Sequence, residues 1–363
     1  MIFWLGCIAG VFLLNIFADV INKESLNKFL SYFLLFALWI IASFRDYVGY
    51  DYTQYVGLYK NSVTFEQWVD NLGGIGTGAL EPTIVLFIDI LRENGFSYQS
   101  LFVVYATLTL FFFWMGIRFY FKRDWGAILF ALSLFALNRD LFFSSLSPIR
   151  QALAMAICFY ASQFVIKKEF LKYFLCIILA ISFHYSAIFL LPIYFLRKIN
   201  IKNRTLYFIA GVTMLLVASG LLTKMYVFFI NQLGVYTFYL DWIDMPMAYG
   251  YYISAITFLI ILFVKSKNVV SNFTFIMSYI ASILYLISGS ISIMTRLAMY
   301  FVPYFTIAFP LASNTIKPRL ITKYIVLAVF SVLLISNLNG FVQQEEHDPR
   351  SNVEYEFNFN LVE

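Results

Sequence analysis

Long apolar runs, broken by short polar stretches, constrain this chain more than any other feature. They cover residues 2–21, 29–44, 97–120, 125–140, 147–166, 170–196, 205–222, 250–264, 271–290, 294–314 and 320–339. A membrane helix needs about 20 apolar residues, and lipid leaves no backbone group unsatisfied, so the pattern predicts a polytopic helical membrane protein. Composition agrees, with 61% hydrophobic and 12% charged residues and a mean hydropathy of +0.79. Soluble domains are typically about 25% charged. The expected fold class is all-α, with about 11–12 membrane segments. There are no repeats or low-complexity linkers, so residues 1–340 read as a single multi-span domain and 341–363 as an acidic tail. Glu81–Leu91 is a shorter apolar piece, read as a re-entrant or interfacial helix. The first run has no basic n-region and no small-residue cleavage site, and reads as a retained helix.

The same residues exclude several functions. The net charge of +5 sits in short clusters between apolar runs, the pattern of cytoplasmic loops, so no nucleic-acid partner is expected. Cys7, Cys158 and Cys176 all lie inside apolar runs, which argues against a disulfide framework or a zinc site. Only two histidines exist, His184 and His347. No metal and no cofactor is expected.

Orientation follows from the basic residues. Lys23 and Lys28, Lys122 and Arg123, the group Lys167, Lys168 and Lys172, the group Arg197, Lys198, Lys202 and Arg204, then Lys265 and Lys267, and finally Lys317, Arg319 and Lys323 each mark a loop. The positive-inside rule asks that all be cytoplasmic. Residues 170–196 carry basic clusters at both ends, so a single span would put one cluster outside. A break near "SFHYS" (182–186) makes two short helices that enter and return, and every basic loop is then inside. This predicts twelve segments with both termini outside, and a cavity at His184, because non-helical backbone at membrane depth must line one. The stretches 45–96 and 223–249 then lie outside and suit interfacial helices.

With that topology the exceptional charges gather on the outer side: Arg45, Arg139, Arg150, Arg296, Asp46, Asp51, Glu81, Asp140 and His184. An arginine deep in a membrane helix costs about 2.5–3.5 kcal/mol even on the lenient insertion scale. Four of them at one face suggest an anionic ligand. In "SSLSPIRQALAMAICFYA" Ser147 suits an N-cap and Pro148 the first helical position. Arg150 then sits in the first turn, where the helix dipole favours an anion over a cation. Either a phosphate lies beside it, or it pairs with Asp140 or Glu81. Arg296, read as buried, needs Asp46, Asp51 or a ligand phosphate as partner. Arg45 stands beside Asp46 and has a local pairing as its alternative. Arg139 and Asp140 read as interfacial. His184 would take a proton from a sugar hydroxyl, bind a phosphate oxygen, or serve as a hydrogen-bonded structural residue. Asp51, Asp241 and Asp244 are alternative bases. Glu81 before Pro82 reads as a helix start. Tyr47, Tyr50, Tyr52 and Tyr55 either stack on sugars or anchor the loop. No histidine–acid pair is identifiable along the chain.

"FRDYVGYDYTQY" (44–55), "EPTIVLFIDIL" (81–91), "SPIRQALAMAICFYAS" (147–162), "FHYSAIFLLPIYFL" (183–196) and "TRLAMYFVPYF" (295–305) occur in this order. Together they resemble the EpsG-like branch of the Wzy-type O-antigen and capsule polymerases. The resemblance implies a GT-C-like, metal-independent membrane glycosyltransferase in the bacterial cytoplasmic membrane, its site facing the periplasm or exterior. Its substrates would be polyprenyl-diphosphate-linked oligosaccharides, as donor and acceptor, with a chain-length regulator as a further partner. It implies catalytic roles for His184, Arg150 and Arg296, and substrate contacts by Arg45, Asp51, Glu81, Arg139 and Tyr52. An O-antigen ligase-type transfer, a flippase for lipid-linked glycan and a membrane acyltransferase are the rival readings.

Overall fold

The computed structural model describes residues 1–70, 80–198, 201–233, 269–291, 293–314, 316–345 and 353–362. The sequence reading drew 1–340 as one domain; contacts group the chain into two compact units, Met1–Tyr194 with Lys323–Glu363, and Phe195–Thr322. The protein is an all-α polytopic membrane protein. Five of its helices are long and apolar enough to cross a membrane, among the described residues.

The first unit is built on α1 (Ile2–Ile21), α2 (Glu24–Ser43), α6 (Tyr98–Phe121), α7 (Trp125–Leu137), α8 (Ile149–Lys167) and α9 (Phe170–Phe183). The short elements β1 (Arg45–Asp46), α3 (Tyr52–Asn61), α4 (Phe65–Asp70) and α5 (Pro82–Glu93) lie between α2 and α6. Helix starts follow sequence chemistry: the Ser97 side chain accepts from the Gln99 N–H, and Asp124 from the Ala127 N–H. Helix α8 packs against both α6 and α9. Gly116 lets α6 approach α8, since a Cβ there would lie 2.6 Å from the Phe159 ring. Small residues permit such close approach between membrane helices. Gly116→Ala is therefore expected to destabilise by about 1–3 kcal/mol, the usual cost of overpacking, read as a lower unfolding temperature in detergent.

The unit has two chemically distinct ends. At one, Arg118 lies over Trp125 at 4.4 Å and Lys28 over the same ring at 5.5 Å. Lys323 donates to Asp19 at 2.8 Å, and the Tyr324 hydroxyl donates to the same carboxylate. At the other end, the Gln99 amide donates to the Ser43 carbonyl at 2.7 Å, joining the end of α2 to the start of α6. Helix α8 begins at this second end.

Residues 170–196 break as the basic flanks predict. Helix α9 stops at Phe183, His184 is extended (φ −157°, ψ 119°), and a 3₁₀ helix runs over Tyr185–Lys198. The Tyr173 hydroxyl donates to the Leu190 carbonyl, and the Phe170 ring lies 5.0 Å from that of Tyr194. Residues on opposite sides of His184 thus meet, so the chain reverses there.

In the second unit, α10 (Asn203–Ala218) and α11 (Leu221–Leu233) bend by 70° at Gly220, whose φ of 68° is open to glycine without strain. Helix α12 spans Val269–Ser288. The apolar run 294–314 is not one helix. It divides into α13 (Met294–Ala298), a 3₁₀ turn at Val302–Tyr304 and α14 (Phe305–Ser313), with Pro303, which lacks an N–H, in the turn. Residues 234–268, with Asp241, Asp244, most of the loop 223–249 and the run 250–264, lie outside the described residues, as do 71–79 and His347.

Helix α15 (Arg319–Glu345) carries the last apolar run, so the first residues of the expected tail, 341–345, are helical. Further on, β2 (Glu356–Phe357) pairs antiparallel with β1, Arg45 opposite Phe357 and Asp46 opposite Glu356.

Candidate functional site

Glu81, Arg150 and His184 meet in the first unit, although 69 and 103 residues separate Glu81 from its two partners. Glu81 caps α5, with Pro82 at the first helical position and Ile84, Val85 and Ile88 turned into the core. The Thr83 hydroxyl donates to the Ser182 carbonyl at 2.6 Å and ties this helix start to the end of α9. His184 is therefore delivered to Glu81 by the same break that reverses the chain. Arg150 comes from the first turn of α8.

The Glu81 carboxylate is 3% exposed and bridges the other two. Its Oε2 accepts from Arg150 Nη1, and its Oε1 lies 2.7 Å from His184 Nδ1. A carboxylate only accepts, so Nδ1 carries the hydrogen, which in a neutral ring leaves Nε2 as the acceptor. Burial pushes the Glu81 carboxyl up, but the hydrogen bond from His184 and the charge of Arg150 outweigh it and hold the group below the usual glutamate range. Arg150 and His184 stay partly open, with side chains 26% and 20% exposed. Arg150 Nε is buried and has no hydrogen-bond partner among the described residues. The guanidinium lies 5.9 Å from the Tyr55 ring, and the buried Tyr105 stands close enough to sense the charges of Glu81 and Arg150. The Trp68 indole and the Tyr185 hydroxyl both donate to the Leu80 carbonyl at 3.2 Å, fixing the residue before Glu81.

The other sequence candidates lie in different settings. Arg45 is 1% exposed, stacks on Phe102 at 4.5 Å, and donates to the carbonyls of Ala42, Val48 (3.0 Å) and Leu146 (2.9 Å). Burial lowers it to about 10, which leaves it a cation at neutral pH. Its guanidinium braces loop 45–51 against the approach to α8. Tyr52 stacks on Phe102 and donates to Asp46 at 2.8 Å. Asp51 gives its backbone N–H to the Ser147 hydroxyl, and its carboxylate forms no ion pair among the described residues. Ser147 therefore serves the loop, while Pro148 takes the cap position, one residue later than the sequence reading placed the cap. Arg139 pairs with Asp140 at 3.1 Å in a short π-helical turn. Arg296 stands on α13 of the second unit with its side chain exposed, where the sequence reading expected it buried.

Of the two partners weighed for Arg150, the structure shows Glu81. The histidine–acid pair that no local motif announces is Glu81–His184. Sequence reasoning missed Tyr105 and Thr83, ordinary apolar-run residues by type. A 160 Å³ apolar cavity lies elsewhere, among α1, α2, α7 and Leu334, and does not touch the site.

Fold and site together define a class: a multi-pass helical membrane protein with a buried acid joining an arginine and a histidine at one end of a bundle. The chain belongs to the EpsG family, whose profile matches residues 28–352, a family associated with polysaccharide polymerisation. No curated protein and no solved structure matches significantly.

Proposed function

We propose that this chain polymerises polyprenyl-diphosphate-linked oligosaccharide repeat units on the outer face of the cytoplasmic membrane. The supporting observation is the Glu81 carboxylate bridging His184 and Arg150, in a chain of the EpsG family. With Nδ1–H held by Glu81, His184 Nε2 takes the proton from the acceptor sugar hydroxyl. A positioned base of this kind contributes about 10²–10⁴-fold. The hydroxyl oxygen bonds to the anomeric carbon of the donor glycan as the bond from that carbon to the diphosphate oxygen breaks. Polyprenyl diphosphate leaves with the electron pair. The partly open guanidinium of Arg150, 26% exposed, meets that developing charge, where charge-assisted bonds are strongest.

The orientation rests on the positive-inside rule: Lys28, Arg118, Lys167 and Lys323 mark one end, and the site lies at the other. A flippase would need polar groups through the bilayer depth, whereas these gather at one end.

The test supplies purified protein with cognate lipid-linked repeats. A ladder of lengthened glycans is expected, and a single transfer product would indicate ligase chemistry instead. Arg150→Ala is expected to lower lengthening by at least about 10²-fold, the usual effect of removing one oxyanion-stabilising donor, while the protein still inserts. Unchanged lengthening in that variant would sink the proposed role.

A further inference from the structure

Residues 353–362 lie beyond the part of the chain that the family profile matches. They read VEYEFNFNLV, with apolar and polar residues alternating over the first eight. That is a strand period. The segment is laid along one end of the first unit. The Trp4 indole donates to the Val353 carbonyl at 2.8 Å, and the Tyr355 hydroxyl to the Ile41 carbonyl at 2.6 Å. The Asn358 N–H donates to the Phe44 carbonyl at 2.7 Å, and β2 pairs with β1. The Ser97 N–H and hydroxyl donate to the carbonyls of Leu361 and Asn360. Val353 is buried, Tyr355 stacks on Phe3 at 4.1 Å, and Phe359 lies 4.9 Å from Phe44.

What the segment holds leads to the site. It fixes Phe44, Arg45 and Asp46. The loop that follows is clamped to the approach to α8: Arg45 Nη2 donates to the Leu146 carbonyl, Gly49 packs on the same carbonyl, and the Asp51 N–H donates to the Ser147 hydroxyl. Arg150 stands three residues on. The contacts therefore run from the strap through β1 and loop 45–51 to Leu146 and Ser147, which lead into α8.

We infer that residues 353–362 are a positioning strap that sets the seat of Arg150 through loop 45–51. The link to catalysis rests on the proposed function; the link to the α8 approach does not.

Hydrogen exchange by mass spectrometry on the whole protein in lipid nanodiscs separates the two. Removing residues 353–363, or introducing Asn358→Pro into the full chain, is expected to speed exchange at least 10-fold at amides 45–52 and 149–152. Amides in the middle of α6 and α8 should keep their rates, which shows that the bundle has folded. The pair Asp46→Cys and Glu356→Cys, opposite each other in the ladder, supplies a rescue. Added to Asn358→Pro, it should restore slow exchange when oxidised and lose it on reduction. In the lengthening assay the same variants should lower kcat about 10-fold with KM unchanged, and oxidation should recover it. Faster exchange confined to 45–52, with 149–152 at the native rate, overturns the inference, because the strap would then only cover the loop. If the native protein lengthens no glycan, the proposed function fails and the exchange result still decides the strap.

Discussion

Glu81→Gln is expected to cut glycan lengthening by about 10²–10⁴-fold and to lower stability by about 3 kcal/mol. The two effects have different physical origins and can be separated. Stability falls because the guanidinium of Arg150 loses its counter-charge. Breaking a buried pair by removing one partner costs about 3–5 kcal/mol; the lower end applies because the Arg150 side chain is 26% exposed. Activity falls because glutamine cannot accept from both neighbours with charge, so His184 loses the partner that keeps its proton on Nδ1. Adding Arg150→Met to Glu81→Gln removes the orphaned charge. The double variant is expected to regain most of the unfolding temperature, since replacing both members of a buried pair is often close to neutral. It should not regain lengthening. Recovery of lengthening in the double variant would mean that the cluster only holds helices together, and the site reading would be lost.

The same carboxylate gives the protein a pH dependence of known sign. The folded-state carboxyl of Glu81 is held below its unfolded value, against burial, by His184 and Arg150. Its stabilisation is then fully present above the ordinary glutamate range and is lost as pH falls through the lower folded value. Unfolding temperature measured against pH should drop on that acid limb in the native protein. The drop should shrink in Glu81→Gln, which has no proton to bind there.

Hydrophobic runs made the long helices legible in the sequence, because lipid imposes one demand on every backbone group. Basic clusters on both sides of residues 170–196 made the reversal at His184 legible too, since only a broken segment puts both on one side. The broken run 294–314 was not legible: hydropathy reports what a segment is buried in, and the turn at Pro303 leaves that unchanged. Partnerships were harder still. Arg45 looked like a candidate for a phosphate, but its partners are carbonyls of Ala42, Val48 and Leu146, and backbone acceptors carry no sequence signature. Glu81, Arg150 and His184 each stood out as charges or a titratable ring in an apolar setting, which is a real signal. Their convergence is a property of the fold. The strap had a signal that composition hid: its acids suggested a solvated tail, while its alternation was that of a strand.

Gly49→Ala is expected to be among the most damaging single-methyl changes in the first unit. Gly49 has φ of 107°, and a Cβ there would lie 2.3 Å from the Leu146 carbonyl oxygen and 2.9 Å from its carbon. The neighbour is backbone, which cannot rotate away as a side chain can. Leu146 is moreover held from two directions, by Arg45 at its carbonyl and by the Phe143 carbonyl at its N–H. Backbone strain of this kind costs about 1–3 kcal/mol, and forced overpacking adds about 1–3 kcal/mol, so a loss of about 2–6 kcal/mol is expected in detergent unfolding. Gly57→Ala is the matched control. Gly57 lies within α3 with no heavy atom near its missing Cβ, and alanine in a helix interior gains about 0.5–1 kcal/mol over glycine. The position, rather than the added methyl, then decides the sign. Where Gly49→Ala leaves enough folded protein to assay, lengthening should fall as well, because relief of the clash must move either loop 45–51 or the residues leading into Arg150. Normal lengthening at a normal unfolding temperature would show that the clamp between this loop and α8 does not seat the arginine.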